Sequence, residues 1–220
     1  MRILALDSAL ARCAVGLVAG EALVGVRRDA AERGEASRLP RMAAAVLAEA
    51  RVAPGALDLV AVTVGPGSFT GIRAALALAH GIGLGAGIPV VGVTVGEALA
   101  ESLPHLGGRA FWCAIDSRRG RVFLERAGCF VSSRLDELPE AAAPVAIGGD
   151  AAIAVAARLA ARGADVMLTD ARVPDPRHVA MVARARNRGL RSPLAALPLY
   201  IDAPEVRLPV GGLRPPPAPP

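Results

Sequence analysis

Strand-like and helix-like apolar patterning alternate along the chain and then repeat, which predicts an α/β fold of two lobes. The first half, residues 1–103, reads strand, strand, strand, helix, strand, helix, strand, helix. The second half, residues 104–205, runs through the same order with a weakened middle. Each half opens on the same theme, an apolar strand closed by Asp-Ser: Leu4-Ala5-Leu6-Asp7-Ser8 and Cys113-Ala114-Ile115-Asp116-Ser117. Both precede a hairpin. A chain duplicated in this way fits the ribonuclease-H-like architecture of actin, Hsp70 and sugar kinases, the actin-like ATPase (ASKHA) fold.

The elements follow in order. Ile3–Asp7, Cys13–Val18 and Ala22–Val26 are strands, with Gly20 at the tight turn between the last two. A polar stretch, Arg27–Glu35, leads to a helix over about 38–50, with Ser37 as its N-cap and Pro40 in its first turn. Leu39, Met42, Ala43, Val46, Leu47 and Ala50 recur there at helical spacing. Pro54-Gly55 ends it, Leu59–Val64 is a buried strand, and the loop Gly65–Gly71 opens a second helix, about 71–86. Val90–Val95 is a strand and Gly96–Leu103 a short helix.

In the second half, Ala110–Asp116, Arg121–Glu125 and Gly128–Ser132 are strands and Leu135–Leu138 is a weak helical turn. Val145–Ile147 and Val166–Leu168 are strands around a helix, Asp150–Arg162, stopped by Gly163. The last helix, about 176–188, carries Asp175 as N-cap, Pro176 at its first position and Gly189 beyond its end. Residues 206–220 form a Pro/Gly-rich tail without apolar pattern, expected to be extended or disordered.

Composition narrows the function. The 220 residues are 53% hydrophobic but only 3% aromatic, so the core is built of Ala, Val, Leu and Ile. All 25 basic residues are Arg, which excludes any Lys-dependent chemistry, including the G-K-[ST] phosphate loop. A net charge of +5 suits an anionic partner or a solvated Arg-rich surface. Cys13, Cys113 and Cys129 are widely spaced; the first two lie in apolar runs as buried thiols, consistent with a reducing cytosol and a cytoplasmic protein. Residues 74–95 lack Asp, Glu and Arg, the length of a membrane span. Their Ala and Gly content, His80 and Pro89 divide them instead into helix, turn and strand, so no membrane is expected.

Four groups of residues invite chemistry. Asp7-Ser8 stands where actin-like lobes cup phosphate and hold Mg²⁺ by a strand-end acid. The hairpin behind it, Ala9-Leu10-Ala11-Arg12, lacks the glycines that let a backbone approach a phosphate, and Asp7 equally serves as a turn former. Gly65, Gly67 and Ser68 lie at the start of the second helix, where unpaired N–H groups suit an anion or a capping hydroxyl. This loop is neither the phosphate loop nor the G-x-S-x-G nucleophile elbow, because Pro66 stands two before Ser68. Small residues recur in steps of four along the second helix, Ala75-Ala79-Gly83-Gly87 and Ala77-Gly81-Gly85, with Ile72, Leu76, His80 and Leu84 between. Such ridges permit close packing, on the sheet or on a partner helix. Arg118, Arg119 and Arg121 surround a turn after Asp116 and could meet tRNA phosphates or an acidic partner; Arg184, Arg186, Arg188 and Arg191 form a second basic stretch. His80, His105 and His178 have no metal-ligand spacing, so no metal site is expected.

Leu4-Ala5-Leu6-Asp7-Ser8, Gly65-Pro66-Gly67-Ser68-Phe69-Thr70-Gly71-Ile72-Arg73, Ile88-Pro89-Val90-Val91-Gly92-Val93, Asp116-Ser117-Arg118-Arg119-Gly120 and Pro198-Leu199-Tyr200-Ile201 together resemble the TsaB (YeaZ) family, over about residues 1–202. The resemblance implies an actin-like fold with a degenerate nucleotide site, and a non-catalytic subunit of the machinery that places threonylcarbamoyl on the tRNA adenosine next to the anticodon. It implies a TsaD-type catalytic partner, a TsaE-type ATPase, tRNA bound through the complex, and a homodimer or heterodimer formed by the first-lobe helices. Leu39, Met42, Val46, Ile72, Leu76, Ala79, His80 and Gly83 then become the docking residues. Asp7, Ser8, Gly65, Gly67, Ser68 and Asp116 become the vestigial nucleotide or anion site. The chain itself would need no cofactor; ATP, Mg²⁺ and a metal ion would belong to the partner subunits. Departures from the family pattern are Gly34 where relatives often carry His, Arg121 where they often carry Glu, and Ile201-Asp202 after Tyr200 in place of Leu-Arg. The alternative is an actin-like ATPase or phosphotransferase acting alone. A peptidase finds no metal-ligand or Ser-His-Asp pattern to support it.

Overall fold

The first three strands pair as an antiparallel meander: β1 (Arg2–Leu10), β2 (Arg12–Ala19) and β3 (Ala22–Ala30). The computed structural model describes residues 1–30, 35–103 and 105–202. Every residue of β1 after Arg2 is buried, as an apolar central strand requires. β4 (Leu59–Gly65) joins β1 in parallel, and β5 (Val90–Thr94) joins β4, giving the order β3-β2-β1-β4-β5. Parallel neighbours need crossovers. These are α1 (Leu39–Glu49) and α2 (Phe69–Ala86).

Both crossover helices cover one face of the sheet. Leu39, Ala43 and Val46 of α1 and Ile72, Ala75, Leu76 and Ala79 of α2 pack with Leu4, Leu6, Val60 and Val62. By length and composition α2 is apolar enough to cross a membrane. Its buried stripe is nevertheless spent on this sheet. Ser37 does not cap α1: it lies in a 3-10 turn, Glu35–Arg38, and Arg38 occupies the cap position without capping the helix through its side chain, which pairs with Asp29. The short α3 (Val95–Glu101) starts on a capping box, Thr94 with Glu97.

The second sheet repeats the first. β6 (Ala110–Asp116), β7 (Val122–Arg126), β8 (Cys129–Ser133), β9 (Val145–Gly148) and β10 (Val166–Leu168) lie in the order β10-β9-β6-β7-β8. With β6 set over β1 and β9 over β4, this is the same order as in the first sheet. The duplicated, actin-like architecture expected from the sequence is present. Its middle is simpler than expected: Leu135–Leu138 is no helix, and the chain passes from β8 to β9 through turns. α4 (Ala152–Ala160) covers one face, with Val155 and Leu159 against Trp112, Leu124 and Ile147. The other face turns Cys113 and Ile115 into the core shared with Val95 and Leu99 of α3.

The last helix, α5 (Pro176–Asn187), crosses back to the first lobe. Val179, Ala180, Val182 and Ala183 pack on Ile3, Ala5, Leu59, Ala61 and Val93, the face opposite α1 and α2. Burying these side chains stabilises the lobe by about 1.5–3 kcal/mol for each large aliphatic one. The first sheet is thus sandwiched between helices from both halves of the chain. Asp175 caps α5 as expected, accepting from the Arg177 amide at 3.0 Å. The Arg-rich end of α5 is used internally. Arg184 donates to the Gly20 carbonyl, Arg186 donates to the Gly92 carbonyl and pairs with Glu97, and Arg191 reaches Glu101.

Candidate functional site

The strand ends of both lobes meet the loops that follow β4 and β9, and the residues of the expected nucleotide site lie there. In the first lobe Asp7 is fully buried. Its Oδ1 accepts from the Thr63 hydroxyl at 2.6 Å and from the Ala9 amide at 3.1 Å, while Oδ2 has no hydrogen-bond partner. Burial pushes the carboxyl up to about 6, against the Thr63 and Ala9 bonds and the nearby Arg12 charge. Arg12 itself donates to the Pro174 carbonyl. Ser8 shares a hydrogen bond with the buried Cys13 thiol at 3.1 Å.

The glycine loop does not stand open for an anion. It lies on the hairpin. The Ser68 amide donates to the Ala9 carbonyl at 2.6 Å. A Cβ at Gly67 would overlap that same carbonyl, and a Cβ at Gly71 would overlap the carbonyl of Ser8. Gly67 also has φ of 154° and Gly65 φ of 114°, and the Gly65–Pro66 peptide is cis. Ser68 caps α2 by accepting from the Gly71 amide at 3.2 Å. The glycines therefore serve close approach of two backbones, and the space over the hairpin is filled by the chain itself. These residues do not fit a nucleotide phosphate with its Mg²⁺. Among the described residues no three His, Cys, Asp or Glu side chains gather as metal ligands.

The second lobe differs. Asp116 is exposed, and its Oδ1 accepts from the Arg118 amide at 2.7 Å, which holds Arg118 at φ of 60°. Ser117 Oγ accepts from the amides of Arg119 and Arg121 and donates to the Arg121 carbonyl. The Asp116 amide donates to Asp150 at 2.9 Å. Burial raises the Asp150 carboxyl; the bond from the Asp116 amide opposes this, and the Asp116 charge adds to it. Arg118, Arg119 and Arg121 are all exposed at this turn, so the three expected Arg do share one surface.

Between the lobes lies a carboxylate that sequence reasoning did not single out. Glu125 of β7 is buried and accepts from the Thr94 hydroxyl and, at 2.8 Å, from the Gly96 amide. A Cβ at Gly96 would overlap the Glu125 carboxylate. Burial pushes this carboxyl up to about 7, with the Thr94 and Gly96 bonds opposing. The signal was the single acid inside an apolar strand pattern. Cys113 lies in the same core, and burial with the Glu125 charge raises its thiol well above the ordinary range.

The docking residues divide. Leu39, Val46, Ile72, Leu76, Ala79 and Gly83 are buried in the first lobe. Their side chains are covered by the sheet, so contrary to the expectation they do not face outward to a partner. Met42 is half-buried and lines a shallow basin with Arg27, Arg38, Arg41 and Ala45. His80 is exposed, though its Nε2 bonds the Ala196 carbonyl at 2.8 Å. The outward face of α2 is the other small ridge, Ala77, Gly81 and Gly85, with Leu84 87% exposed. Gly34 and the tail 206–220 lie outside the described residues.

Comparison with known proteins decides the family. The family described as TsaD: tRNA N6-adenosine threonylcarbamoyltransferase matches residues 21–146. An uncharacterised protein of Mycobacterium tuberculosis is 34% identical over 210 residues, 93% of each chain. The Escherichia coli tRNA threonylcarbamoyladenosine biosynthesis protein TsaB is 32% identical over 124 residues. The chain belongs to the TsaB (YeaZ) family. That Escherichia coli match spans 56% of this chain and 53% of the relative, about half the length of each. In structure, YeaZ from Pseudomonas aeruginosa superposes with a TM-score of 0.74 at 26% identity, covering 91% of this chain and 99% of its own. TsaB-family membership ties the chain to tRNA threonylcarbamoyladenosine biosynthesis.

Proposed function

We propose that this chain is a non-catalytic TsaB-type subunit, which docks and activates a TsaD-type threonylcarbamoyltransferase acting on the tRNA adenosine next to the anticodon. The observation that carries the reading is the contrast within the first lobe. The hairpin that would cup a phosphate is packed shut by Gly67 and Gly71, while α2 turns an apolar ridge outward. A lobe with no room for nucleotide but with an unpartnered helix face suits a scaffold better than an ATPase. Ala77, Gly81 and Gly85 let a partner helix approach closely, and Leu84 offers the side chain to bury.

In this reading the chain needs no cofactor; ATP, Mg²⁺ and a metal ion act on the TsaD-type and TsaE-type subunits. tRNA is engaged through the complex, in the cytoplasm. The same α2 face pairs two copies of the chain when the partner is absent.

Co-elution with a TsaD-type protein tests the docking face. Leu84→Glu combined with Ala77→Glu is expected to weaken assembly by at least about 30-fold, since truncating one buried anchor commonly costs about 2 kcal/mol and a buried charge more. Both positions are exposed, so the variant folds as the parent does. Unchanged co-elution would exclude this face. ATP–Mg²⁺ hydrolysis by the chain alone would sink the non-catalytic reading.

A further inference from the structure

Beside the glycine loop, the start of α2 and the segment around Tyr200 form a surface that the docking reading leaves unused. Phe69 opens α2 and is 54% exposed; Tyr200 is 49% exposed. Arg73, one turn along, lays its guanidinium over the Phe69 ring at 3.8 Å from the centroid and donates from Nε to the Tyr200 hydroxyl at 2.7 Å. The two rings lie 5.9 Å apart, tilted by 31°. Tyr200 is held in place from behind, because the Leu199 amide donates to the Val64 carbonyl at 2.9 Å.

The same strand of chain continues to the arginine turn of the second lobe. Asp202 accepts from the Ser132 hydroxyl at 3.1 Å, and Ser132 accepts from Arg121 through both its hydroxyl and its carbonyl, at 2.8 Å each. Tyr200 stands two residues before Asp202, so their backbones are at most about 7 Å apart. Phe69, Arg73 and Tyr200 are therefore linked through Asp202 and Ser132 to Arg121, with Arg118 and Arg119 on the same exposed turn. The result is one patch of two exposed rings and four guanidinium groups, spanning both lobes.

We propose that this patch binds single-stranded RNA, stacking unpaired bases on Phe69 and Tyr200 while the second-lobe arginines take the phosphates. Bases stack on aromatic faces and on guanidinium planes, and a single strand presents both its bases and its charge at once. The choice of RNA rests on the proposed role in tRNA modification; the choice of a single strand rests on the rings. A protein anchor is the poorer fit, since four of the six groups carry positive charge, against the carboxylates of Asp116 and Asp202, and the large apolar side chain of the docking ridge, Leu84, lies farther along α2. Leu84 is 15 residues along the helix from Phe69, about 22 Å away at 1.5 Å per residue. The docking ridge itself begins at Ala77, one turn beyond Arg73, so the two surfaces are neighbours on α2 and the variants below separate them.

The test is fluorescence anisotropy of the whole purified chain with a labelled tRNA anticodon stem-loop, against a fully paired RNA of equal length. The stem-loop is expected to bind more tightly than the duplex. Phe69→Ala with Tyr200→Ala is expected to weaken it by about tenfold or more. Tyr200→Phe keeps the ring and should retain the affinity. Arg118→Ser with Arg119→Ser should make the salt dependence shallower by about 1.4 in log–log slope. Absence of stem-loop binding at low salt, or an unchanged affinity in the double aromatic variant, overturns the proposal. So does an aromatic variant that loses co-elution with a TsaD-type protein but keeps its RNA. Loss of RNA binding with assembly intact in the aromatic variant supports the patch; failed assembly of the parent chain with RNA binding intact fails the docking reading alone.

Discussion

The two lobes begin from one sequence theme and treat it in opposite ways. After β4, the glycine loop reaches along β1 as far as Ala9, two residues beyond Asp7, and seals the acid in. After β9, Gly149 makes the same kind of approach, but to Ala114, two residues short of Asp116. The Ala151 amide then donates to the Ala114 carbonyl at 3.1 Å, as Ser68 does to Ala9. A shift of four positions along the strand leaves Asp116 and its arginine turn in solvent while Asp7 is buried. One repeat has become core, and the other has remained surface.

The largest effect should come from filling these approaches. Gly67→Ala is expected to cost more than about 4 kcal/mol in chemical denaturation, because the new methyl has only backbone to displace. Gly149→Ala should behave alike, for the same reason in the second lobe. Gly120→Ala, at φ of 71° with nothing within 4 Å of the new atom, should cost only about 1 kcal/mol. If Gly67→Ala costs no more than Gly120→Ala, the loop is not sealed on the hairpin and the contrast between the lobes collapses.

Much of this was legible in the sequence, and the exceptions have physical causes. The succession of strands and helices, the paired Asp-Ser termini, the α5 cap and the loop before α2 follow from local patterning. The side of α2 that meets the sheet does not. Ala75-Ala79-Gly83 and Ala77-Gly81-Gly85 are equally small, and two positions turn a helix by about 200°. Only the tertiary packing selects the first ridge for the core and leaves the second outside. The return of α5 to the first lobe is likewise a long-range choice, since its apolar stripe would suit either sheet. Glu125 was passed over because its partners, Thr94 and Gly96, lie about 30 residues away in the other lobe.

Glu125 provides the next test, of the seam between the lobes. Its folded carboxyl is raised to about 7. An acid raised on folding holds its proton better in the native state, so its stabilising contribution is complete below its unfolded value and is lost as pH rises through about 7. Going from pH 4.5 to pH 8 should therefore cost about 3 kcal/mol from this group. Glu125→Gln mimics the protonated form, accepting from Gly96 and donating to Thr94. It should remove that part of the pH dependence in urea titrations. A variant that keeps the full slope would show that the seam does not titrate.

The smallest effect separates the two strand-end acids most directly. Asp116 is exposed, and Asp116→Asn should change stability by no more than about 0.5 kcal/mol. Asp7 is buried with its carboxyl raised to about 6, so its contribution is lost as pH rises through that value. Asn at position 7 keeps the oxygen that accepts from Thr63 and Ala9 but has no charge to bury. Whatever the exchange costs at pH 5, where Asp7 is mostly protonated, the gap between variant and parent should move in the variant's favour at pH 8. The expected movement is about 1.4 kcal/mol. The comparison needs only that difference, which cancels any packing cost common to both pH values. An Asp7→Asn gap that stays constant with pH would mean the first-lobe acid is not sealed after all, and that water or a ligand reaches it as freely as it reaches Asp116.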